Sequence, residues 1–185
     1  MKILDFLIFL MLFILLAAGL YVLWLNMPRT PIGYEPYHFN ISAEVYSNGP
    51  QFYPNMRYQS KEISYSISKT CDPQRQLDTK RSFFLISEKT ILEFNEVKSG
   101  EDISILCSNL APKPEEKGHF VAGEGGPSEI INTSKYAIIL SGKVSLFRPN
   151  TCKDPNIAIH EILHALGFDH NTNKKSVMYP VTECD

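Results

Sequence analysis

The strongest constraint on this 185-residue chain is a group of regularly spaced residues near its C-terminal end. His160 and His164 are four residues apart, so on an α-helix both imidazoles lie on one face and can reach the same metal ion. Glu161 follows the first histidine and can act on a water at that metal without being a ligand. A helix cannot bring His170 back to the same ion, so the chain must turn sharply. Gly167 can adopt the left-handed conformation that such a turn needs.

These residues predict a catalytic metal centre on a helix over about residues 155–166. Three protein ligands leave the fourth tetrahedral position of zinc open, which is typical of catalytic and not of structural sites. A chain of this composition would contain the full pattern by chance with a probability on the order of 10⁻⁵. We therefore expect one catalytic zinc ion, with His160, His164 and His170 as its ligands.

A second constraint is the uncharged, almost wholly apolar run from Phe6 to Leu25. As a helix it is long enough to cross a hydrocarbon core of about 30 Å. The alternative is a cleaved signal peptide, for which Ala17-Ala18-Gly19 offers a weak cleavage site, although the apolar core of such a peptide normally has about 7–15 residues. We expect residues 1–27 to be a retained anchor, with the N-terminus inside and the domain outside. Cleavage would give a secreted protein instead.

The rest of the chain has the composition of one folded domain. Apolar residues make up 44% and charged residues 21% of the sequence, which argues against disorder. The net charge of −2 offers no electrostatic footprint for a nucleic acid, so no such partner is expected. The proline-rich stretch 28–60 predicts a stalk or wrapping segment, and residues 61–185 form the predicted domain.

Hydrophobic patterning within this domain predicts strands and two helices. Asp72-Pro73 is typical of a helix start, and the helix is expected to run to about Lys89 with Leu77, Phe84 and neighbouring apolar residues on its buried face. Residues 111–128 are predicted to form a long surface loop. The predicted strands are 61–69, 91–97, 102–107, 128–133 and 136–147. This order of elements indicates an α+β or mixed α/β fold.

The four cysteines all follow the apolar run, and their even number is consistent with two disulfides in an oxidising compartment. None has C-x-x-C spacing, which argues against a zinc ribbon or a thioredoxin-type site. Four cysteines allow three pairings, and spacing does not choose among them. The residues are Cys71, Cys107, Cys152 and Cys184.

The pattern from His160 to His170, followed by Met178, resembles that of the metzincin zinc endopeptidases. Ser176-Val177-Met178-Tyr179-Pro180 is similar to the matrixin, or matrix-metalloproteinase-like, version. The resemblance covers about residues 55–185. It implies a zincin fold with a twisted, mixed five-stranded sheet and an active-site helix, and hydrolysis of peptide bonds in extended polypeptides.

The resemblance also implies roles for single residues. Met178 would form the methionine turn beneath the imidazoles, and Tyr179 and Pro180 would line a pocket for a substrate side chain. An extended substrate would add to an edge strand within about 128–134 by main-chain hydrogen bonds.

The sequence departs from the matrixin pattern in several places. Residues 103–153 contain no aspartate and one histidine, His119, so no structural zinc or calcium site is expected. No cysteine precedes Cys71, so a thiol-plugged latent form is not expected. The final family helix has no counterpart after Pro180. We expect disulfides to replace that support, with Cys152 joined to Cys184 and Cys71 joined to Cys107.

Two other functions use the same residues. In a gluzincin-like enzyme Glu183 would be the third ligand, but Pro180 leaves little room for the helix that such a ligand needs. In a non-catalytic zinc-binding or adhesion module on a membrane stalk, a tail carboxylate such as that of Asp185 would fill the open zinc position. Cleavage of an unfolded protein, inhibited by a chelator, separates the protease from the binding module.

Overall fold

A computed structural model describes residues 3–26, 32–33, 51–114, 120–133, 136–150 and 153–181. Within these ranges the chain has a mixed α/β architecture of three helices and seven strands. The elements are α1 (Ile3–Asn26), β1 (Ile32–Gly33), β2 (Arg57–Tyr58), β3 (Glu62–Ile67), α2 (Pro73–Ser87), β4 (Glu93–Glu96), β5 (Ile103–Cys107), β6 (Gly123–Asn132), β7 (Ala137–Leu146) and α3 (Asn156–Ala165).

The strands form one sheet in the order β1-β6-β7-β5-β3-β4, with β2 pairing alongside β7. Neighbours among β3, β4, β5 and β7 are parallel, whereas β6 runs antiparallel to β7. The sheet is mixed, as expected, but within the described residues it has seven strands where we predicted five. The structure adds β1 and β2, two-residue strands from the stretch predicted as a stalk. Strand β1 provides hydrogen-bond partners for backbone groups of β6, and β2 does so for β7; these groups would otherwise bond to water.

Strand β6 begins at Gly123, earlier than the predicted start near residue 128. Its first residues, Gly-Glu-Gly-Gly, have no apolar alternation and a composition typical of loops. Pairing with β7 and packing against α3 make this segment extended, so tertiary contacts override its local preference.

The main core lies between the sheet and helices α2 and α3. Alternating residues of β3, β5 and β7 point to this side, and α3 contributes residues from its inward stripe. A smaller cluster joins Met56 to apolar residues of β6 and β7. The main core includes Ile63, Tyr65, Phe83, Ile103, Ile105, Val144, Leu146, Ala158, Ile162 and Ala165.

The prediction that Leu77 and Phe84 lie on the buried face of α2 is wrong. Leu77 and Phe84 are each 60% exposed, whereas the buried face carries mainly polar residues together with Phe83 and Ile86. Most of the polar groups on this face have partners within the fold, although one buried carboxylate oxygen has none among the described residues. The hydroxyls of Thr79 and of a serine on the next turn donate to carbonyls one turn earlier. Hydrophobicity alone could not reveal a helix face whose burial depends on hydrogen bonds.

Arg75 explains much of that burial. Its guanidinium donates hydrogen bonds to the carbonyl oxygens of Leu146 at 3.0 Å and Ser108 at 3.3 Å, and to the amide oxygen of Asn109 at 3.1 Å. Asp72 caps the helix through the Arg75 backbone N–H and pairs with its side chain. A buried arginine with its donors occupied ties the start of α2 to the ends of β5 and β7.

A disulfide joins Cys71, just before α2, to Cys107 at the end of β5. This is one of the two pairings expected above; Cys152 and Cys184 lie outside the described residues.

Removing this disulfide should destabilise the domain strongly. The cysteines are 36 residues apart in sequence, and closing a loop of that size lowers the unfolded-state entropy by an amount worth about 3–4 kcal/mol in the chain-entropy model. We expect the C71A/C107A double variant to lose free energy of unfolding of that order in urea titrations. An unchanged denaturation midpoint would contradict this expectation.

Helix α1 contains one candidate membrane span, Ile8–Leu25, with a mean hydropathy of 2.7. None of this window is buried against the rest of the protein. Tyr21 and Trp24 stack near its C-terminal end, where aromatic rings favour the membrane interface. Length and composition therefore permit a span, and a signal sequence near an N-terminus meets the same criteria.

Candidate active site

Helix α3 and the turn after it bring the three predicted ligands together. The Nε2 atoms of His160 and His164 lie 3.0 Å apart, and each lies 3.1 Å from Nε2 of His170. The first two histidines are buried, whereas His170 is exposed. The three Nε2 atoms thus converge on one point, with two buried histidines on one side of it and the exposed His170 on the other.

The turn that makes this possible is centred on Gly167. Its φ of +94° lies in the left-handed region, and its N–H donates to the carbonyl of His164 at 2.9 Å. A Cβ at this position would lie 2.8 Å from Cγ of Met56. Both the backbone angle and the lack of space therefore require glycine where the chain leaves the helix and swings towards His170.

Backbone carbonyls orient two of the imidazoles. Nδ1 of His160 donates to the carbonyl oxygen of Val177 at 2.6 Å, and Nδ1 of His164 donates to that of Phe168 at 2.7 Å. Because a carbonyl can only accept, the proton is on Nδ1 and the Nε2 lone pair points to the shared centre.

These residues fit a zinc ion. Nitrogen ligands at about 2.0–2.1 Å from a tetrahedral zinc are roughly 3.3–3.4 Å apart, close to the spacing of the three Nε2 atoms. Lone pairs that face one another at this distance repel unless a cation lies between them. The carbonyl partners also match the outer hydrogen bonds that metal-ligating histidines usually make.

The electrostatic environment favours neutral imidazoles, the form that binds metals. Burial lowers the pKa of His160. His170 is exposed as a whole residue, but desolvation of its ring beside the other two imidazoles, followed by the charge of His160, lowers its pKa as well. Burial, and then the neighbouring His160, lower the pKa of His164 to about 3. At neutral pH all three rings therefore keep a free lone pair for a cation.

Glu161 lies on the adjacent side of α3 and is only 7% exposed. Burial, followed by the charge of Glu124 on β6, raises its pKa to about 8. A cation held by the neighbouring imidazoles would oppose this shift and favour the carboxylate. The side chain is therefore a buried carboxyl group whose pKa is raised by burial and would be lowered by a bound cation.

The chain after His170 forms a compact turn that ends at Met178. The Asn171 N–H donates to the carbonyl of Met178 at 3.0 Å, and the Asn171 side chain donates to the Ser176 hydroxyl at 2.7 Å. Met178 is buried. Of the residues predicted to line a pocket, Tyr179 is half-buried and Pro180 is exposed.

Residues before the domain also reach the site, which sequence analysis missed. The Phe52 ring stacks on that of His164 with centroids 5.6 Å apart. The backbone N–H of Phe52 donates to the Gly167 carbonyl at 3.1 Å. Gln51 forms an isolated antiparallel β-bridge with Phe168. The available signal was weak: Phe52-Tyr53 is a pair of adjacent aromatic residues in a stretch that is rich in prolines and in other aromatic residues.

Part of the edge predicted within 128–134 to receive a substrate is occupied by the chain itself. Glu129 and Ile130 of β6 pair with Ile32–Gly33, so the chain itself occupies that part of the edge. The part of β6 that lies against Glu161 is its beginning, because Cβ atoms at Gly123 and Gly125 would both meet Glu161. The edge next to the site is therefore nearer the start of β6, because packing against α3, and not local sequence, decides which part of a strand faces the site.

Several predicted or alternative residues lie outside the described residues, and the structure says nothing of their positions. These are His119, Cys152, Glu183, Cys184 and Asp185.

Three imidazoles directed at one point, beside a buried carboxyl group and a mixed sheet, form an arrangement typical of metal-dependent hydrolases. Comparison with known proteins makes the class specific: the sequence model of the matrixin family matches residues 57–185. The chain therefore belongs to the matrixins, a family of zinc metalloproteases.

Two relatives show how far the similarity extends. Matrix metalloproteinase-16 of Rattus norvegicus is 26% identical over 178 residues, and that of Mus musculus is 27% identical over 188 aligned positions. Each alignment covers 85% of this chain but 28% of the relative. The chain thus spans less than a third of the length of these relatives.

Proposed function

We propose that this protein is a membrane-anchored, extracellular, zinc-dependent endopeptidase that cleaves extended polypeptides. The observation that carries the proposal is the convergence of the His160, His164 and His170 Nε2 atoms within 3.1 Å of one another, at the helix that also carries Glu161 and the turn after it. Membership of the matrixin family supports the reaction class. We propose a single catalytic ion, with no structural zinc or calcium.

The three histidines would hold the zinc, which supplies Lewis acidity and lowers the pKa of a bound water to about 7. Glu161 would take a proton from the attacking water and deliver it to the departing amine. Such general acid–base catalysis is worth about 10²–10⁴-fold. Met178 would give the imidazoles an apolar floor, and Tyr179 and Pro180 would border the pocket for the residue after the scissile bond.

We propose that the substrate lies along the beginning of β6. In the described residues, β1 covers this edge at Ile130 and Glu129 and not at Gly123–Gly125. Main-chain pairing with an extended peptide would bring its carbonyl past the metal centre. Recognition of this kind favours unfolded or looped polypeptides over folded ones.

The full chain, purified in detergent with zinc, tests the function. We expect about one zinc per chain and cleavage of an unfolded protein such as reduced casein, abolished by a zinc chelator and restored by added zinc. One bound zinc without cleavage would contradict the protease proposal and favour the zinc-binding module.

The anchor has a separate test. We expect the protein to stay in the membrane fraction after alkaline carbonate extraction, with Met1 or Lys2 as its N-terminus. A mature N-terminus near Ala18 in a water-soluble form would show that the apolar segment is a signal peptide and that the protease is secreted.

A further inference from the structure

The beginning of β6 has glycine at both positions that face Glu161, the proposed general base. Side chains alternate along a strand, so positions 123 and 125 point to the same side, towards α3. Both are glycines, and neither has a positive φ. Their backbone conformation does not require glycine, so the reason must be space.

The space at Gly123 is filled by the Glu161 side chain. A Cβ at position 123 would lie 2.6 Å from Cγ, 2.9 Å from Cδ and 2.9 Å from Oε1 of Glu161. Carbon atoms in contact are normally about 3.5–4.0 Å apart, so the methylene of Glu161 would have to move by roughly 1 Å.

Gly125 has a different neighbour on the same residue. A Cβ there would lie 2.0 Å from the backbone oxygen of Glu161 and 2.7 Å from its carbonyl carbon. Helix backbone cannot move as cheaply as a side chain, so this glycine sets how closely β6 approaches α3. Gly125 therefore makes room for the backbone of α3, whereas Gly123 makes room for the side chain of Glu161.

We propose that Gly123 is a positioning residue for Glu161: the missing side chain leaves the slot that fixes where the Glu161 carboxylate lies relative to the three histidines. This inference rests on the proposed function for its catalytic meaning. Because Glu161 is 7% exposed, a displaced side chain has few other places to go. A misplacement of about 1 Å in a catalytic group can cost roughly 100-fold in rate.

The G123A variant of the full chain tests the catalytic effect. We expect kcat to fall between about 10- and 100-fold, with KM within a small factor of wild type and zinc stoichiometry unchanged, because the added methyl group points towards Glu161 and not towards the main-chain groups of the substrate edge or the histidines. As a control, G100A replaces a glycine with φ +74° and open surroundings in the bend before β5. It should lower Tm without changing kcat.

A stability cycle tests the contact independently of activity. E161A removes Cγ, Cδ and Oε1, the three atoms that the added methyl group would meet, so any loss of Tm caused by G123A should disappear in the E161A background. The loss caused by G125A should persist there, because its neighbour is backbone. If G123A does not fold, a folded E161A/G123A protein supports the proposal.

Two results would overturn it: a kcat for G123A within twofold of wild type, or the same loss of Tm from G123A in both backgrounds. Absence of peptidase activity in the zinc-loaded wild type would instead refute the proposed function, while the stability cycle would still decide whether Gly123 makes room for Glu161.

Discussion

E161Q is expected to lower kcat by about 10²–10⁴-fold while the protein keeps its zinc. Glutamine has nearly the shape of glutamate and fits the same buried slot, but it cannot accept a proton from water and pass it on. The zinc ligands are the three histidines, so metal binding should not change. Hydrolysis of an unfolded protein and zinc analysis of the same sample measure both properties.

The matched control is E96Q, which removes the same charge from an exposed residue of β4. Glu96 pairs with Lys80 at 2.8 Å, and surface pairs of this kind contribute little to stability. We expect wild-type activity from this variant. Wild-type-like cleavage by E161Q would refute the role of Glu161 and move the reaction to another group.

H164A is expected to abolish both zinc binding and peptide hydrolysis. His164 is the most buried of the three ligands, and the Phe168 carbonyl and the Phe52 ring hold its imidazole in place. Loss of an outer partner of a ligand costs about 10–100-fold in metal affinity, and loss of the ligand itself should cost more.

The comparison is with wild-type protein stripped by a chelator. Added zinc should restore activity to the stripped wild type and not to H164A, at equal protein concentration and with both samples folded by circular dichroism. Full activity of H164A after zinc addition would mean that this histidine does not hold the catalytic ion.

Local sequence predicted the elements in which one periodic face meets the core. Strand β3 follows the alternation of Ile63 and Tyr65, and helix α3 follows the four-residue spacing of its histidines. Gly167 could be placed because a left-handed turn restricts the residue that can occupy it. In each case the pattern of nearby residues and the physical requirement coincide.

Prediction failed where distant contacts determine the local structure. Leu77 and Phe84 are the hydrophobic choices for the buried face of α2, but that face is buried through the hydrogen bonds of Arg75 with Ser108 and Leu146. The start of β6 reads as a loop, and its pairing with β7 and contact with α3 make it a strand. The partners of Arg75 are more than thirty residues away in sequence, so the local pattern of hydrophobic residues does not indicate them.

The order of residues alone therefore predicted the three converging histidines, the glutamate beside them, the turn and the apolar N-terminal segment, because each depends on spacing along a helix or on local composition. Only the tertiary structure decided that Phe52 lies against His164, that β1 covers part of the edge of β6, and that Gly123 faces Glu161. These contacts join segments far apart in the chain. Their geometry follows from how the sheet and α3 pack together, which short-range chemistry does not specify.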